Sequence, residues 1–375
     1  MYTCPICHNN QRNYFGLKNG EIYCRKCISF IGEKINNQEE VINNPFLNIN
    51  YQLSEEQKKI SSKVVDLINN KKNVLINAVC GAGKTELVYE VILNCLKKGY
   101  QIGFAIPRKD VVIDLYPRIK EAFSNQQVVA VYGGHHSNLK GNIIILTTHQ
   151  LYRYENYFDL LILDEIDAFP FQNNETLNYF FKKSLKGNYI MMSATARDKI
   201  INEIKKDNGE VLFLDKRYHN HPLPVPKIKS LLIGKIFYLW YLLFNFRKRK
   251  LPVLVFAPTI DECEELYNKC RFIKNGYFVH SKKEDREQII MNFKENKYDY
   301  LITTSVLERG VTIKNLQVIV FNAEHELYDE KSLIQISGRV GRKIDAYEGE
   351  VIFIASYITE EMQKCCKEII RANES

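Results

Sequence analysis

Between Ala78 and Thr85 the chain reads Ala-Val-Cys-Gly-Ala-Gly-Lys-Thr. Such a turn can cradle phosphate. Ala78, Gly81, Ala82 and Gly83 are small enough to leave successive backbone N–H groups open to an anion, with Ala78 where glycine is usual. Lys84 would reach the β- and γ-phosphates of a nucleotide, and Thr85 would offer its hydroxyl to Mg²⁺. A second constellation, Asp164-Glu165, closes the apolar run 157–163. One carboxylate at such a strand tip can hold a magnesium shell, while the next orients or deprotonates the attacking water. Paired after a phosphate loop, they imply ATP hydrolysis. Upstream, the amide of Gln57 can read an adenine edge with one donor and one acceptor, or it is a polar residue in a helix's first turn.

A different chemistry sits at the start. Cys4 and Cys7 (CPIC) and Cys24 and Cys27 (CRKC) are two Cys-x-x-Cys hooks separated by sixteen residues. Two hooks complete a tetrahedral Zn²⁺ site with no open position, hence a structural metal. A redox pair would belong beside a βαβ pattern, which residues 1–45 do not show. His8 is adjacent and could compete, but four thiols suffice. Whether this module touches nucleic acid or protein is open. Residues 31–52 are polar and read as a linker.

These groups need a scaffold. With 375 residues, the chain suggests two domains and a small addition, and 45% hydrophobic with 26% charged residues is ordinary for a folded protein. Lys and Arg outnumber Asp and Glu by 52 to 44. That excess suits a polyanionic partner without selecting one. Strands at 74–77, 102–106, 128–131, 143–147, 160–164 and 189–193 alternate with helical patterns. A second series follows at 253–257, 278–280, 300–304, 318–322 and 350–354. Alternation of this kind predicts α/β parallel sheets covered by helices, with ligands beyond the strands' carboxyl ends. The helix after the phosphate loop is expected over 86–96. "HPLPVPK" (221–227) breaks the pattern with three prolines and reads as an extended linker.

"MYTCPICHNN" is not a basic-then-apolar leader. The run 231–246 is interrupted by Lys235 and followed by Arg247–Lys250. It falls short of the about 20 apolar residues a spanning helix needs, so a packed helix is expected, with an interfacial helix as the sharper alternative. A cytoplasmic location with reduced thiols follows, Cys80 among them as a small packing residue.

The ordered motifs resemble the superfamily 2 helicases and translocases across residues 50–356. They include "AIPRKDVV" (105–112), "TTHQL" (147–151), "SAT" (193–195), "VLVFAPTI" (253–260), "TTSVLERGVT" (303–312) and "QISGRVGR" (335–342). Within that superfamily the four-cysteine start, "DEIDAFPF" (164–171) and "RYHNHPLPVPK" (217–227) are similar to the ComFA-type competence ATPases. The resemblance implies two tandem RecA-like domains, 46–220 and 221–375, preceded by the zinc-binding module 1–45, with ATP between the domains. It implies that Arg339 and Arg342, on one face of a helix, stabilise the transferring γ-phosphoryl, with Gln335 one turn earlier contacting phosphates. Salt-bridging or phosphate-backbone binding is the plainer role for these arginines.

The resemblance further places single-stranded DNA at Arg108, Gly133, Thr148 and Thr304, backbone- and hydroxyl-rich turns suited to phosphate oxygens rather than base edges. It implies a translocase importing transforming DNA. The partners it implies are a phosphoribosyltransferase-like operon protein, a recombination mediator and a membrane DNA channel. Homo-oligomers and peripheral attachment at the inner membrane face are further expectations. The rivals are another superfamily 2 helicase (replication restart, repair or RNA) and a non-motor scaffold switched by ATP.

Overall fold

The computed structural model describes residues 2–374 except 6, 8, 19, 28, 29, 31, 36–43, 80, 136, 137, 167–173, 195–197, 215–220, 309–312, 343 and 344. The readings that touch His8, Cys80, Asp167–Phe171, Thr195, Arg217–Asn220 and Arg309–Thr312 therefore lie wholly or partly outside the described residues. The chain divides into two compact units, one of residues 1–78 and 83–214, the other of residues 79–82 and 215–375.

In the first unit a hairpin, β1 (Phe15–Lys18) antiparallel to β2 (Glu21–Cys24), precedes the main sheet. Then come α1 (Glu55–Asn69), β3 (Asn73–Ala78), α2 (Lys84–Leu87), α3 (Tyr89–Lys97), β4 (Ile102–Ile106) and α4 (Lys109–Ala122). The order continues with β5 (Val128–Val131), β6 (Ile143–Thr147), a 3-10 turn (Thr148–Arg153) and β7 (Phe158–Leu163). It closes with α5 (Glu175–Ser184), β8 (Leu185–Ser193), α6 (Asp198–Lys206) and β9 (Gly209–Leu214). The seven main strands lie in the order β5-β6-β4-β7-β8-β3-β9, all parallel. Helices cover both faces, so β4 and β6 are buried along their whole lengths.

The second unit runs β10 (Lys227–Ser230), α7 (Lys235–Lys248), β11 (Val253–Phe256), α8 (Ile260–Cys270), β12 (Gly276–Val279) and α9 (Arg286–Lys294). It ends with β13 (Tyr300–Thr303), β14 (Gln317–Phe321), α10 (Glu330–Ser337), β15 (Val351–Ala355) and α11 (Glu360–Glu374). Its sheet, β10-β15-β14-β11-β13-β12, is also wholly parallel. Both units are thus parallel-sheet α/β domains, as the alternating pattern predicts, and of the RecA-like type that the resemblance implies.

Several local expectations change. The helix after the phosphate loop starts at Lys84 and is interrupted at Val88 before continuing through Tyr89–Lys97. The proline-rich stretch is extended but anchored. Leu223 is buried, and it exchanges backbone hydrogen bonds with the Asn373 amide at 2.7 and 2.9 Å. An apolar residue between prolines still seeks a core. α7 packs Leu239, Leu242, Leu243 and Phe246 inward while Phe237 and Tyr241 stay exposed. Among the described residues no helix is long and apolar enough to cross a membrane.

Candidate nucleotide and nucleic-acid site

The first sheet is level. Val131, Leu146, Ala105, Leu163, Met191, Leu75 and Val211 form one continuous register row across all seven strands. Because every strand runs the same way, the turns that follow emerge along one edge. Beyond β7, β8 and β3 lie Asp164, the Ser193 turn and the phosphate loop. Beyond β5, β6 and β4 lie Gly133, Thr148 and Arg108. Neighbouring strands stand about 4.8 Å apart, so Asp164 and the phosphate loop issue from strands about 10 Å apart.

On the nucleotide half the backbone does much of the shaping. Gly81 and Gly83 take φ of +84° and +77°, a conformation that side chains resist. Ala82 is fully buried, and its N–H donates to the Val79 carbonyl at 3.1 Å, closing the turn. Lys84 Nζ donates to the Ala78 carbonyl at 3.1 Å, which holds the ammonium over the start of the loop. Thr85 follows, half-buried. At the tip of β7, Asp164 Oδ1 accepts the Glu165 N–H at 2.8 Å, and Glu165 has φ +55°. A glutamate in left-handed backbone is strained, and such strain clusters at working sites. The donor set fits Mg²⁺, a hard cation that takes oxygen ligands: Thr85 and Asp164 would hold it.

Gln57 reaches this half from α1. It is buried, and its Oε1 accepts the Ser54 N–H at 2.9 Å while Ser54 Oγ accepts the Gln57 N–H at 3.2 Å, a reciprocal helix cap. Its Nε2 faces Gly83, where an added Cβ would lie only 2.6 Å away. The cap engages the amide oxygen, and the amide nitrogen lies beside the phosphate loop.

The other half is aromatic and hydroxylic. Thr148 is fully buried, and its Oγ1 has no hydrogen-bond partner among the described residues. Arg108 sits half-buried just before α4. Tyr132 and His135 exchange backbone hydrogen bonds around Gly133-Gly134, stacking their rings 4.9 Å apart at 18°, with Lys109 Nζ 5.2 Å over the tyrosine. Sequence reasoning named this loop for its glycines and missed His135. An aromatic on each side of Gly-Gly was the available signal.

The second unit carries the remaining motif residues. Thr304 is buried after β13, and its carbonyl accepts from Thr303 Oγ1 at 3.2 Å. Gln335 is buried on α10. The helix stops at Ser337, capped by Gly338, and Gly341 at φ +67° turns the chain again. Arg339 and Arg342 therefore lie in tight turns past the helix, not on its face. Arg339 is only 2% exposed and its Nε donates to the Glu308 carbonyl at 2.8 Å. Arg342 is half-buried, its Nε on the Gly338 carbonyl at 2.9 Å.

The four cysteines converge as their spacing predicts. Cys4 Sγ lies 3.8 Å from Cys27 Sγ and Cys7 Sγ 3.9 Å from Cys24 Sγ, and all four sulfurs fall within 4.8 Å of one another. A zinc ion with Zn–S bonds of about 2.3 Å sets sulfurs about 3.8 Å apart at tetrahedral vertices, so the cluster fits one. Burial and the neighbouring thiols push Cys27 well above the ordinary thiol range, and burial raises Cys7. Thiols so close resist ionising together unless a cation takes up their charge.

Two parallel sheets, a phosphate loop, a strand-tip Asp-Glu and a paired-arginine motif define a superfamily 2 helicase, a nucleic-acid-dependent ATPase. The "Type III restriction enzyme, res subunit" family matches residues 50–198, and the "Helicase conserved C-terminal domain" family matches 234–343. The chain is 32% identical to Competence protein ComFA of Bacillus subtilis (strain 168), over 100% of this chain and 86% of that protein. It is likewise 32% identical to Competence protein ComFA of Streptococcus pneumoniae (strain ATCC BAA-255 / R6), over 99% of this chain and 90% of that one. S. cerevisiae Dbp5 bound to RNA and ADP BeF3 shares the fold, with TM-score 0.65 at 17% identity over 86% of this chain and 92% of that one. The chain belongs to the ComFA family of competence proteins. It is an ATP-dependent motor of the superfamily 2 type.

Proposed function

We propose that this chain hydrolyses ATP in response to single-stranded DNA, moves along that strand, and so helps draw transforming DNA inward. The observation that supports it best is the single register row, which lines up the nucleotide turns and the strand-gripping turns along one sheet edge. A shift at the γ-phosphate is then felt by neighbouring strand tips of the same rigid sheet.

In this reading the loop N–H groups and Lys84 bind the phosphates. Thr85 and Asp164 would hold Mg²⁺, which would neutralise phosphate charge. Glu165 orients a water and takes its proton as the water oxygen bonds the γ-phosphorus and the bond to the bridging oxygen breaks, releasing ADP and phosphate. Arg342 and Arg339 stabilise the charge on the phosphoryl group, and Gln335 relays the nucleotide state. Arg108, Gly133, Thr148 and Thr304 grip phosphate oxygens without reading bases, so binding falls steeply with salt. Cys4, Cys7, Cys24 and Cys27 would hold zinc in a structural role, since four thiolates leave no open position. The partners we propose are the phosphoribosyltransferase-like operon protein, the recombination mediator and the membrane DNA channel. Assembly into homo-oligomers and peripheral attachment at the inner membrane face complete the proposal.

The test is ATP turnover with single-stranded DNA, duplex DNA or RNA at one salt concentration. Single-stranded DNA should raise turnover most, and Lys84→Ala should abolish it. Turnover indifferent to all three would sink the motor reading, and strongest stimulation by RNA would transfer the chain to an RNA substrate.

A further inference from the structure

The four-cysteine module does not stand apart from the first unit. Cys4, Cys24, Cys27, Phe30 and Ile35 share one buried cluster with Leu151, Tyr152, Tyr154 and Phe180. The segment leaving the module is laced into the 3-10 turn Thr148–Arg153 at both of that turn's ends.

At the near end Phe30, buried, stacks on His149 with ring centroids 6.0 Å apart at 17°. The same ring meets Tyr152 at 5.7 Å and Phe180 at 4.8 Å. At the far end Ile35 forms a parallel bridge with Tyr154, and its N–H donates to the Arg153 carbonyl at 2.6 Å. Arg153 is 6% exposed, and its Nη1 donates to the Glu33 carbonyl at 3.1 Å while Nε donates to Gln150 Oε1 at 2.6 Å. Gly32 lies close against this guanidinium: a Cβ there would come within 2.8 Å of both Arg153 Nη1 and the Tyr152 hydroxyl. The link back to the metal site is short, because the Phe30 N–H donates to the Cys27 carbonyl at 2.8 Å.

A six-residue 3-10 run needs such support, since its hydrogen bonds are poorly aligned and runs beyond three or four residues are uncommon. This one begins at Thr148, the strand-tip residue assigned above to nucleic acid. We propose that the four-cysteine module is a brace for the turn Thr148–Arg153, with Phe30 and Arg153 as positioning residues that preset it for single-stranded DNA. The brace rests on the reading that this turn meets nucleic acid. Folding of so small a module depends on its metal, so loss of the metal loosens the turn and weakens the grip on DNA while the phosphate loop, on the other half of the sheet edge, is untouched.

The experiment compares the full chain with Phe30→Ala, Phe30→Tyr and Phe30→Leu, using a labelled deoxythymidine oligonucleotide. Three quantities are read: DNA affinity by anisotropy, turnover without DNA, and the DNA concentration giving half-maximal stimulation. Phe30→Ala should weaken DNA binding about three- to thirty-fold, leave turnover without DNA unchanged, and be rescued by Phe30→Tyr. Stripping the metal with a thiol reagent should produce the same shift in the unaltered protein and little more in Phe30→Ala. Phe30→Leu keeps most of the volume without the stack, and serves if the alanine variant does not fold. Unchanged DNA affinity in Phe30→Ala or Phe30→Leu, or a parallel fall in turnover without DNA, would overturn the brace. An unaltered protein that binds no DNA would instead remove the reading beneath it.

Discussion

The two halves of the first sheet's carboxyl edge reach order by different routes. Beyond β3 and β7, the backbone itself is bent into place: Gly81, Gly83 and Glu165 all hold positive φ. Beyond β6, ordinary backbone is held by groups from far away in sequence, the Phe30 ring on His149 and the Glu33 carbonyl on the Arg153 guanidinium. A site that must fit one ligand, a triphosphate, can be written into a short motif. The surface proposed to let a polymer slide is built from turns, which by the brace proposed above an appended module would stiffen or release. That contrast predicts large, all-or-none mutational effects on the first half and graded ones on the second.

The largest effects should fall on the charge around the γ-phosphate. Lys84→Ala and Arg342→Ala should each lower ATP turnover by about a thousandfold or more, the scale known for arginines that stabilise phosphoryl transfer. Stopped turnover with retained folding is the expected signature. Arg339→Ala should differ. Its buried guanidinium donates to the Glu308 carbonyl, and such a bond contributes about 1.5–3 kcal/mol, so thermal unfolding of the second unit should fall along with turnover. If Arg339→Ala left stability untouched, that structural share would be wrong.

What could be read in advance follows the same division. The phosphate loop, Asp164-Glu165 and the paired cysteines are contiguous or closely spaced, so residue type and spacing carry their meaning. The central strands were equally plain, because burial on both faces makes runs such as Ile143–Leu146 continuously apolar. β10 was not foreseen, since "KIKS" is an edge strand with mostly exposed side chains and no apolar run. β9 carries a signal, the apolar Val211–Leu214 after Asn-Gly, which its place beside the linker obscures. Docking of the cysteine module was illegible, because Phe30 and His149 meet across more than a hundred residues with no periodicity to link them. The burial of Arg339 was hidden too, since two arginines three apart look alike until Gly338 ends the helix.

Two glycines probe the division more finely. Gly83→Ala forces a side chain into φ +77° and against Gln57 Nε2. The backbone alone should cost about 1–2 kcal/mol, seen as a lower melting temperature and a KM for ATP raised roughly tenfold. Gly133→Ala meets nothing within 4 Å among the described residues, so stability should not change. Any loss of DNA-stimulated turnover in that variant would come from the DNA contact itself. A destabilised Gly133→Ala would show that the second half is not as permissive as its open surroundings imply.

The graded half should also respond to acid. Burial holds the His149 imidazole below its ordinary value of 6.5. Its folded pKa lies below the unfolded one, so its contribution is complete above about pH 6.5 and is lost as pH falls through the window beneath. Amides of 148–154 should therefore exchange faster relative to intrinsic rates at pH 5.5 than at 7.5. His149→Phe, which cannot protonate, should flatten that dependence, and a persisting slope would assign it elsewhere.

The smallest expected difference lies between two residues of one cap. Ser54 and Gln57 satisfy each other's backbone N–H groups at the start of α1, so replacing either by alanine should destabilise the protein by about 1 kcal/mol. Only Gln57 also faces Gly83 with its amide nitrogen. If Gln57 serves the nucleotide as well as the helix, Gln57→Ala should raise the KM for ATP several-fold beyond anything seen in Ser54→Ala at matched stability, and should do so for ATP more than for GTP. Equal KM values in the two variants would reduce Gln57 to a helix cap. The adenine preference would then have to come from groups other than this amide, while the phosphate loop and its lysine would stand unaffected.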